Sequence, residues 1–218
     1  MAINFDLIVF DWDGTLLDSA AAIVTSIQFA CRDLGVPEPE PDAARHVIGL
    51  GLHEALGRAV PTLDPRRYAE LADRYRYHYL ARDHELALFE GSARMIEDLH
   101  VRGHMLAIAT GKSRRGLDRA LGHSGLGRWF HGSRCADECH PKPHPDMLLE
   151  LMEEFGVEAG RTLMIGDTTH DLAMAANAGV TPVAVTFGAH AADLLRGANP
   201  ACCCGSTAEL AEWLRIHG

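Results

Sequence analysis

An apolar run of β-branched and aromatic residues, Phe5-Asp6-Leu7-Ile8-Val9-Phe10, leads directly into Asp11-Trp12-Asp13-Gly14-Thr15. The run reads as a buried strand. Side chains alternate between the two faces of a strand, so Asp11 and Asp13 can cooperate only where the chain leaves the sheet. Gly14 supplies the backbone freedom for that exit. Two carboxylates at the carboxyl end of a buried strand are costly unless they bind a cation or take part in chemistry. An Asp-x-Asp pair alone is more often an acidic turn, and the residues that decide between the readings lie downstream.

Beyond Gly103, short apolar runs alternate with helical patterns. Strands are expected at 104–110, 162–166 and 181–187, with helices at 116–122, 145–155 and 172–178. Alternation of this kind implies an α/β fold, a Rossmann-like parallel sheet covered by helices on both faces. Ligands of such a sheet bind outside the carboxyl ends of its strands. Residues 16–88 break the rhythm and contain no convincing strand. Ile23, Ile27, Ala30 and Leu34 recur at helical spacing before Gly35, and further helical pieces are expected at 42–48, 52–60 and 65–83. The division is therefore an α/β core of 1–15 and 89–218 with an inserted helical cap of 16–88, placed as a lid over the strand ends.

Three more signals fall at strand exits. Residues 104–109 lead into Thr110-Gly111-Lys112, where a hydroxyl and free backbone N–H groups can cradle an oxyanion. Pro141-Lys142-Pro143 fixes a lysine in restricted backbone ahead of a helix. Leu163-Met164-Ile165 runs into Gly166-Asp167-Thr168-Thr169-His170-Asp171, a second carboxylate pair. Each signal alone is weak. Acid pair, hydroxyl, lysine and acid pair in that order, all at strand exits, make up what phosphoryl transfer requires: a nucleophile, a cation site and positive donors around phosphate oxygens.

These residues resemble the haloacid dehalogenase superfamily of phosphohydrolases. Asp11 through Thr15 matches its first motif, Thr110 its second, Lys142 its third, and Gly166-Asp167 through Asp171 its fourth. The helical insertion matches the subclass with a cap between the first and second motifs, and the resemblance covers essentially the whole chain. Asp13 through Ser19 and Lys142-Pro143-His144-Pro145 look most like the phosphoglycolate phosphatase group. The resemblance implies that Asp11 attacks phosphorus and that Asp13 protonates the leaving oxygen, then takes a proton from water. It implies Mg²⁺ held by Asp11, the Asp13 backbone carbonyl and Asp167. Thr110, the Gly111 N–H and Lys142 would bind phosphate oxygens, and Asp171 would support the metal or orient Lys142. The expected function is a Mg²⁺-dependent phosphatase for a small phosphorylated metabolite, 2-phosphoglycolate favoured. A sugar phosphomutase or a nucleotide or pyrophosphate phosphatase is the enzymatic alternative, and a binding module on an inactive scaffold the non-enzymatic one.

The net charge of −10 in 218 residues argues against a nucleic-acid partner. No apolar run is long enough to span a membrane, and the N-terminus enters a strand without a leader pattern. Six cysteines, three of them adjacent, do not form a disulfide framework, so a cytoplasmic location is expected. Gly111-Lys112-Ser113 is not the end of a P-loop, because the required first glycine falls at Leu106. Cys135, Cys139, His140 and His144 have the ligand types of a zinc site but are more often an incidental loop cluster. Residues 202–204 are expected as a small buried strand. Tyr75, Tyr77, His78 and Tyr79 read as lid core or substrate contacts, and Trp12 as a packing position.

Overall fold

A computed structural model describes residues 5–218 of the chain. Residues 1–4 of the expected core lie outside it. Six parallel strands form one sheet in the order β3-β2-β1-β4-β5-β6: β1 Leu7–Phe10, β2 Met105–Thr110, β3 Gly132–Cys135, β4 Thr162–Gly166, β5 Thr181–Val185 and β6 Cys202–Cys204. The central strand β1 pairs with β2 on one side (Phe10 opposite Ile108) and with β4 on the other (Phe10 opposite Ile165). Asp11, Thr110 and Asp167 then stand at or just past the carboxyl ends of these three adjacent strands, at the point where strand order reverses.

The strict alternation along β1 builds two layers. Ile8 and Phe10 join Leu106, Ile108, Leu163 and Ile165 under α5 (Ser92–Val101), α6 (Arg114–Ser124) and α10 (Thr207–His217). Leu7 and Val9 join Ala107, Ala109 and Met164 under α7 (Asp146–Phe155) and α8 (Thr169–Asn177). Trp12 is fully buried in the first layer, the packing role expected of it.

The strands expected at 104–110 and 162–166 and the three core helices form within a few residues of the expected bounds. The strand expected at 181–187 ends at Val185. Strand β3 and helix α5 carry no clear sequence signal. Gly132-Ser133-Arg134-Cys135 is a partly exposed strand at the sheet edge with a single fully buried residue, and so lacks the apolar run that marks an interior strand. Strand β6 forms as expected, but only Cys204 is fully buried.

The inserted segment is helical: α1 (Ala20–Asp33), α2 (Pro41–His46), α3 (Leu52–Ala59) and α4 (Tyr68–Leu80) pack around a core of their own, including Ile27, Leu56 and Leu71. Its two connections to the sheet run side by side. Leu17 bridges antiparallel to Leu88, the Phe89 N–H donates to the Leu16 carbonyl at 3.0 Å, and the Asp18 N–H donates to the Ala87 carbonyl at 3.0 Å. On the far side, the His46 carbonyl accepts from His170 Nε2 at 2.9 Å and His190 Nε2 at 3.2 Å. The His46 ring stacks on that of His190, 4.8 Å between centroids.

Between these contacts the loop Ile48-Gly49-Leu50-Gly51 rests on the sheet's exits. A Cβ on Gly111 would lie 2.5 Å from both the Gly49 and Leu50 carbonyl oxygens, so only glycine fits beneath the loop. Gly111→Ala should therefore lift the loop. Hydrogen–deuterium exchange is expected to rise at 47–51 while β1, β2 and β4 keep wild-type protection. Unchanged exchange at 47–51 would mean that the loop does not rest on Gly111.

Candidate active site

Asp11 is the first residue beyond β1 and is fully buried, as are Lys142, Asp167 and Asp171. Lys142 Nζ donates to Asp11 Oδ1 at 2.6 Å and lies 2.6 Å from Asp171 Oδ1. The other Asp171 oxygen accepts from the Thr168 N–H at 3.0 Å and the Thr168 hydroxyl at 2.7 Å, completing a capping box at the start of α8. Asp171 thus holds Lys142 against Asp11. Burial opposes the charge of Lys142, but the carboxylates of Asp11 and Asp171 outweigh it and keep its proton bound above the usual lysine range.

Asp167, next after β4, accepts from the Thr15 hydroxyl at 2.8 Å and the Ala189 N–H at 2.7 Å. The chain closes tightly around it: a Cβ on Gly14, whose φ is +82°, would lie 2.2 Å from Asp167 Oδ2, and one on Gly188 2.3 Å from the same atom. The nearest oxygens of Asp11, Asp167 and Asp171 all lie within 4.8 Å of one another. Three buried carboxylates face one ammonium, an excess of negative charge in a low-dielectric interior. Burial accordingly pushes the Asp11 carboxyl up to about 7 despite the Lys142 ammonium. Burial, with Asp11 and Asp171 adding to it, raises Asp167 well above the carboxylate range. Among the described residues Asp11 Oδ2 has no hydrogen-bond partner. An orphaned carboxylate oxygen beside two more carboxylates, with oxygen donors only, fits a hard divalent cation.

Asp13 sits on the cap side of Asp11. It accepts from the Ser19 hydroxyl at 2.7 Å, and its Oδ2 is 3.0 Å from Lys112 Nζ. Lys112 Nζ also donates to the Tyr79 hydroxyl at 3.1 Å, from helix α4 of the insertion. Thr110, at the end of β2, is buried and its Oγ1 accepts from the Lys112 N–H at 3.2 Å. Asp11, Asp13, Thr110, Gly111 and Lys112 line one cavity of about 930 Å³ between sheet and insertion. Its walls include Leu50, Leu56, Tyr75, Tyr79 and Leu86.

All the site residues expected from sequence therefore gather at the exits of β1, β2 and β4. Sequence reasoning missed Ser19 and Lys112. Ser19 closes the Asp13–Ser19 stretch that carries the family resemblance, but the sequence assigns it no role. Lys112 stands two residues after Thr110 but had been weighed only as part of a P-loop. The zinc ligands grouped by sequence do not come together. Cys135 is buried among core side chains and Cys139 packs toward the opposite layer. The cluster that forms is His140, His144 and Asp146, an exposed set in which His140 Nδ1 bonds one Asp146 oxygen and His144 Nδ1 lies 3.0 Å from the other. Tyr75 and Tyr79 pack on the core of the insertion and line the cavity, whereas Tyr77 faces solvent.

The family model described as haloacid dehalogenase-like hydrolase matches residues 8–185. The chain belongs to this family. It is 39% identical over 202 residues to "Probable phosphatase IndB" of Dickeya dadantii, covering 89% of this chain and 86% of that protein. It is 32% identical over 218 residues to the 5'-nucleotidase of Pseudomonas aeruginosa, with 99% and 98% covered. It is 30% identical over 222 residues to the phosphoglycolate phosphatase of Vibrio parahaemolyticus, with 98% and 97% covered. Family and site together define an enzyme, a phosphoric monoester hydrolase resembling the phosphoglycolate phosphatases. Among the described residues no helix is long and apolar enough to cross a membrane.

The buried charge makes a pH-dependent prediction. An Asp11 carboxyl held near 7 in the folded state, against 3.8 as its ordinary value, binds its proton more tightly folded than unfolded. Its contribution to stability is complete below about 4 and is lost as pH rises through about 7. A divalent cation held by this cluster would take the place of the missing proton, so stabilisation by added Mg²⁺ should grow from pH 5 to pH 8. At saturating Mg²⁺ and pH 8 the melting temperature is expected to rise by about 5–10 °C, and Asp167→Asn should remove most of that increment. An increment that does not depend on pH would refute this account of the carboxylates.

Proposed function

We propose that the protein is a Mg²⁺-dependent phosphatase that acts on a small phosphorylated metabolite through a phosphate bound covalently to Asp11. One observation carries the reading: Asp11 is clamped by Lys142 at 2.6 Å, with Asp13 beyond it on the cavity side and Thr110 beside it. Lys142 screens the anionic nucleophile so that an anionic phosphate can approach. Asp11 attacks phosphorus, the bond from phosphorus to the ester oxygen breaks, and Asp13 gives that oxygen a proton. In the second half Asp13 takes a proton from water, the water oxygen bonds phosphorus, and the Asp11–phosphate bond breaks, which regenerates the carboxylate. Thr110 and the Gly111 N–H bind phosphate oxygens throughout. Mg²⁺, held by Asp11, the Asp13 backbone carbonyl and Asp167, would neutralise charge on the phosphate and on the carboxylates around it. The side-by-side connections at Leu17 and Leu88 suit a rigid-body movement of the insertion, admitting substrate and excluding bulk water.

2-Phosphoglycolate is the favoured substrate, on the motif resemblance and the likeness to phosphoglycolate phosphatases. A nucleoside monophosphate is the second reading, favoured by the cavity of about 930 Å³, which suits a ligand larger than glycolate. Comparing kcat/KM for the two substrates decides between them. A cytoplasmic location accords with six free cysteines, three of them consecutive.

Asp11→Asn should bind substrate but lose turnover by about 10⁴-fold or more. Asp13→Asn should lose far more on an alkyl phosphate than on p-nitrophenyl phosphate, whose leaving group needs no proton. Equal losses on both substrates would remove Asp13 from the acid role, and residual wild-type rates in Asp11→Asn would remove Asp11 from the nucleophile role.

A further inference from the structure

Lys112 is assigned no part in the chemistry above, yet its ammonium is one of the best-placed charges in the cavity. Its side chain is 11% exposed and stands at the junction of sheet and insertion. An ammonium has three N–H donors. One points to Asp13 Oδ2, 3.0 Å away, and one is given to the Tyr79 hydroxyl at 3.1 Å, which leaves the third uncommitted. Because the Tyr79 oxygen accepts from Lys112, its own O–H is free to donate into the cavity. The Tyr79 phenol is pushed up to about 12 by burial, so it keeps that proton. Lys142 already supplies the counter-charge of the nucleophile on the opposite side of Asp11. Lys112 lies on the side of Asp13, where the leaving group departs.

Distances fix what the subsite can hold. An ester oxygen hydrogen-bonded to Asp13 lies within about 6 Å of Lys112 Nζ, the sum of two hydrogen-bond lengths. A carboxylate on the carbon that bears the ester oxygen places its own oxygens about 3 Å from that ester oxygen, and so reaches Nζ at hydrogen-bonding distance. A neutral hydroxymethyl group at the same position gains only a neutral hydrogen bond. Arg115 also lines the cavity and forms no ion pair among the described residues.

We infer that Lys112, with the Tyr79 hydroxyl, is the subsite for a carboxylate carried next to the ester oxygen, and that this pair selects phosphorylated hydroxy acids over the corresponding neutral alcohols. The inference rests on the phosphatase reading and deepens it. 2-Phosphoglycolate is the smallest member of the class, and the cavity leaves room for longer ones. Since one partner comes from the β2 exit and the other from α4, the subsite is complete only with the insertion closed.

The test compares 2-phosphoglycolate with 2-hydroxyethyl phosphate, which differ only in carboxylate against hydroxymethyl. The wild type is expected to prefer the carboxylate about 10- to 100-fold in kcat/KM, the range of a charge-assisted hydrogen bond. Lys112→Met should bring the ratio close to one, and Lys112→Arg should restore part of it. A wild type that hydrolyses p-nitrophenyl phosphate but shows no carboxylate preference, or that prefers a second phosphate group in that place, overturns the inference and leaves the phosphatase standing. Equal losses on both substrates in Lys112→Met also overturn it, making the residue a support for Asp13. Absence of turnover on every substrate refutes the phosphatase reading itself. Calorimetric binding of the two compounds to Asp11→Asn, with and without Lys112→Met, reads the subsite independently of turnover. There the carboxylate compound alone should weaken, by about 10- to 100-fold, and parallel weakening of both compounds overturns the assignment.

Discussion

Three buried carboxylates around one buried ammonium set the terms for the rest of the molecule. Asp11 and Asp171 share Lys142, with Asp167 close by, in a space that excludes water, where like charges are expensive and an unpaired oxygen such as Asp11 Oδ2 costs more still. The surrounding chain holds these groups against repulsion. Thr15 and Ala189 fix Asp167, Thr168 fixes Asp171, and glycines at 14 and 188 let two loops approach closer than any side chain would allow. The parallel sheet provides the only geometry in which β1, β2 and β4 deliver their exits to one point. A cluster of this kind lowers stability unless a cation occupies it. That cost is the physical signature of a site built for chemistry, since a structural core would have used apolar residues instead.

The insertion answers a different requirement. The polar floor offers carboxylates, a hydroxyl and ammonium groups, whereas the insertion supplies largely apolar walls. Walls made of Leu50, Leu56, Tyr75 and Tyr79 come from an insertion whose hydrophobic cluster is distinct from those flanking the sheet, so they can vary without repacking the sheet. Gly49 and Leu50 carbonyls pressed against Gly111 bring the two parts into contact just past the end of β2.

How much of this was legible in the sequence follows from where the determinants lie. Buried strands with continuous apolar runs, such as Leu163-Met164-Ile165, announce themselves, and the acids and lysine that follow them are local in sequence. The helical insertion was legible because residues 16–88 lack any strand pattern. Strand β3 was not, because an edge strand of Gly132-Ser133-Arg134-Cys135 needs no apolar face on its exposed side. Lys112 and Tyr79 meet across 33 residues, a contact that only the packing of α4 against the β2 exit creates, and no spacing rule encodes it. The Cys135–His144 grouping is the incidental loop cluster that its sequence favours, because the end of β3 turns Cys135 inward and leaves the two histidines to Asp146.

The far edge of the insertion carries a contact whose chemistry suits its position. His170 and His190 both donate to the His46 carbonyl, and His190 Nδ1 accepts from the Thr169 N–H at 3.0 Å, which places its proton on Nε2. Burial lowers the affinity of both rings for a second proton, His190 to about 4, so both stay neutral under ordinary conditions. His170 is the immediate neighbour of Asp171. A lysine or arginine in its place would bring a full charge to the edge of the carboxylate cluster and compete with Lys142 for the same anions. An apolar residue would remove the shorter of the two hydrogen bonds that the His46 carbonyl accepts at this junction. Neutral imidazole satisfies both constraints, joining insertion to sheet by hydrogen bonds while leaving the positive charge beside the carboxylates to Lys142.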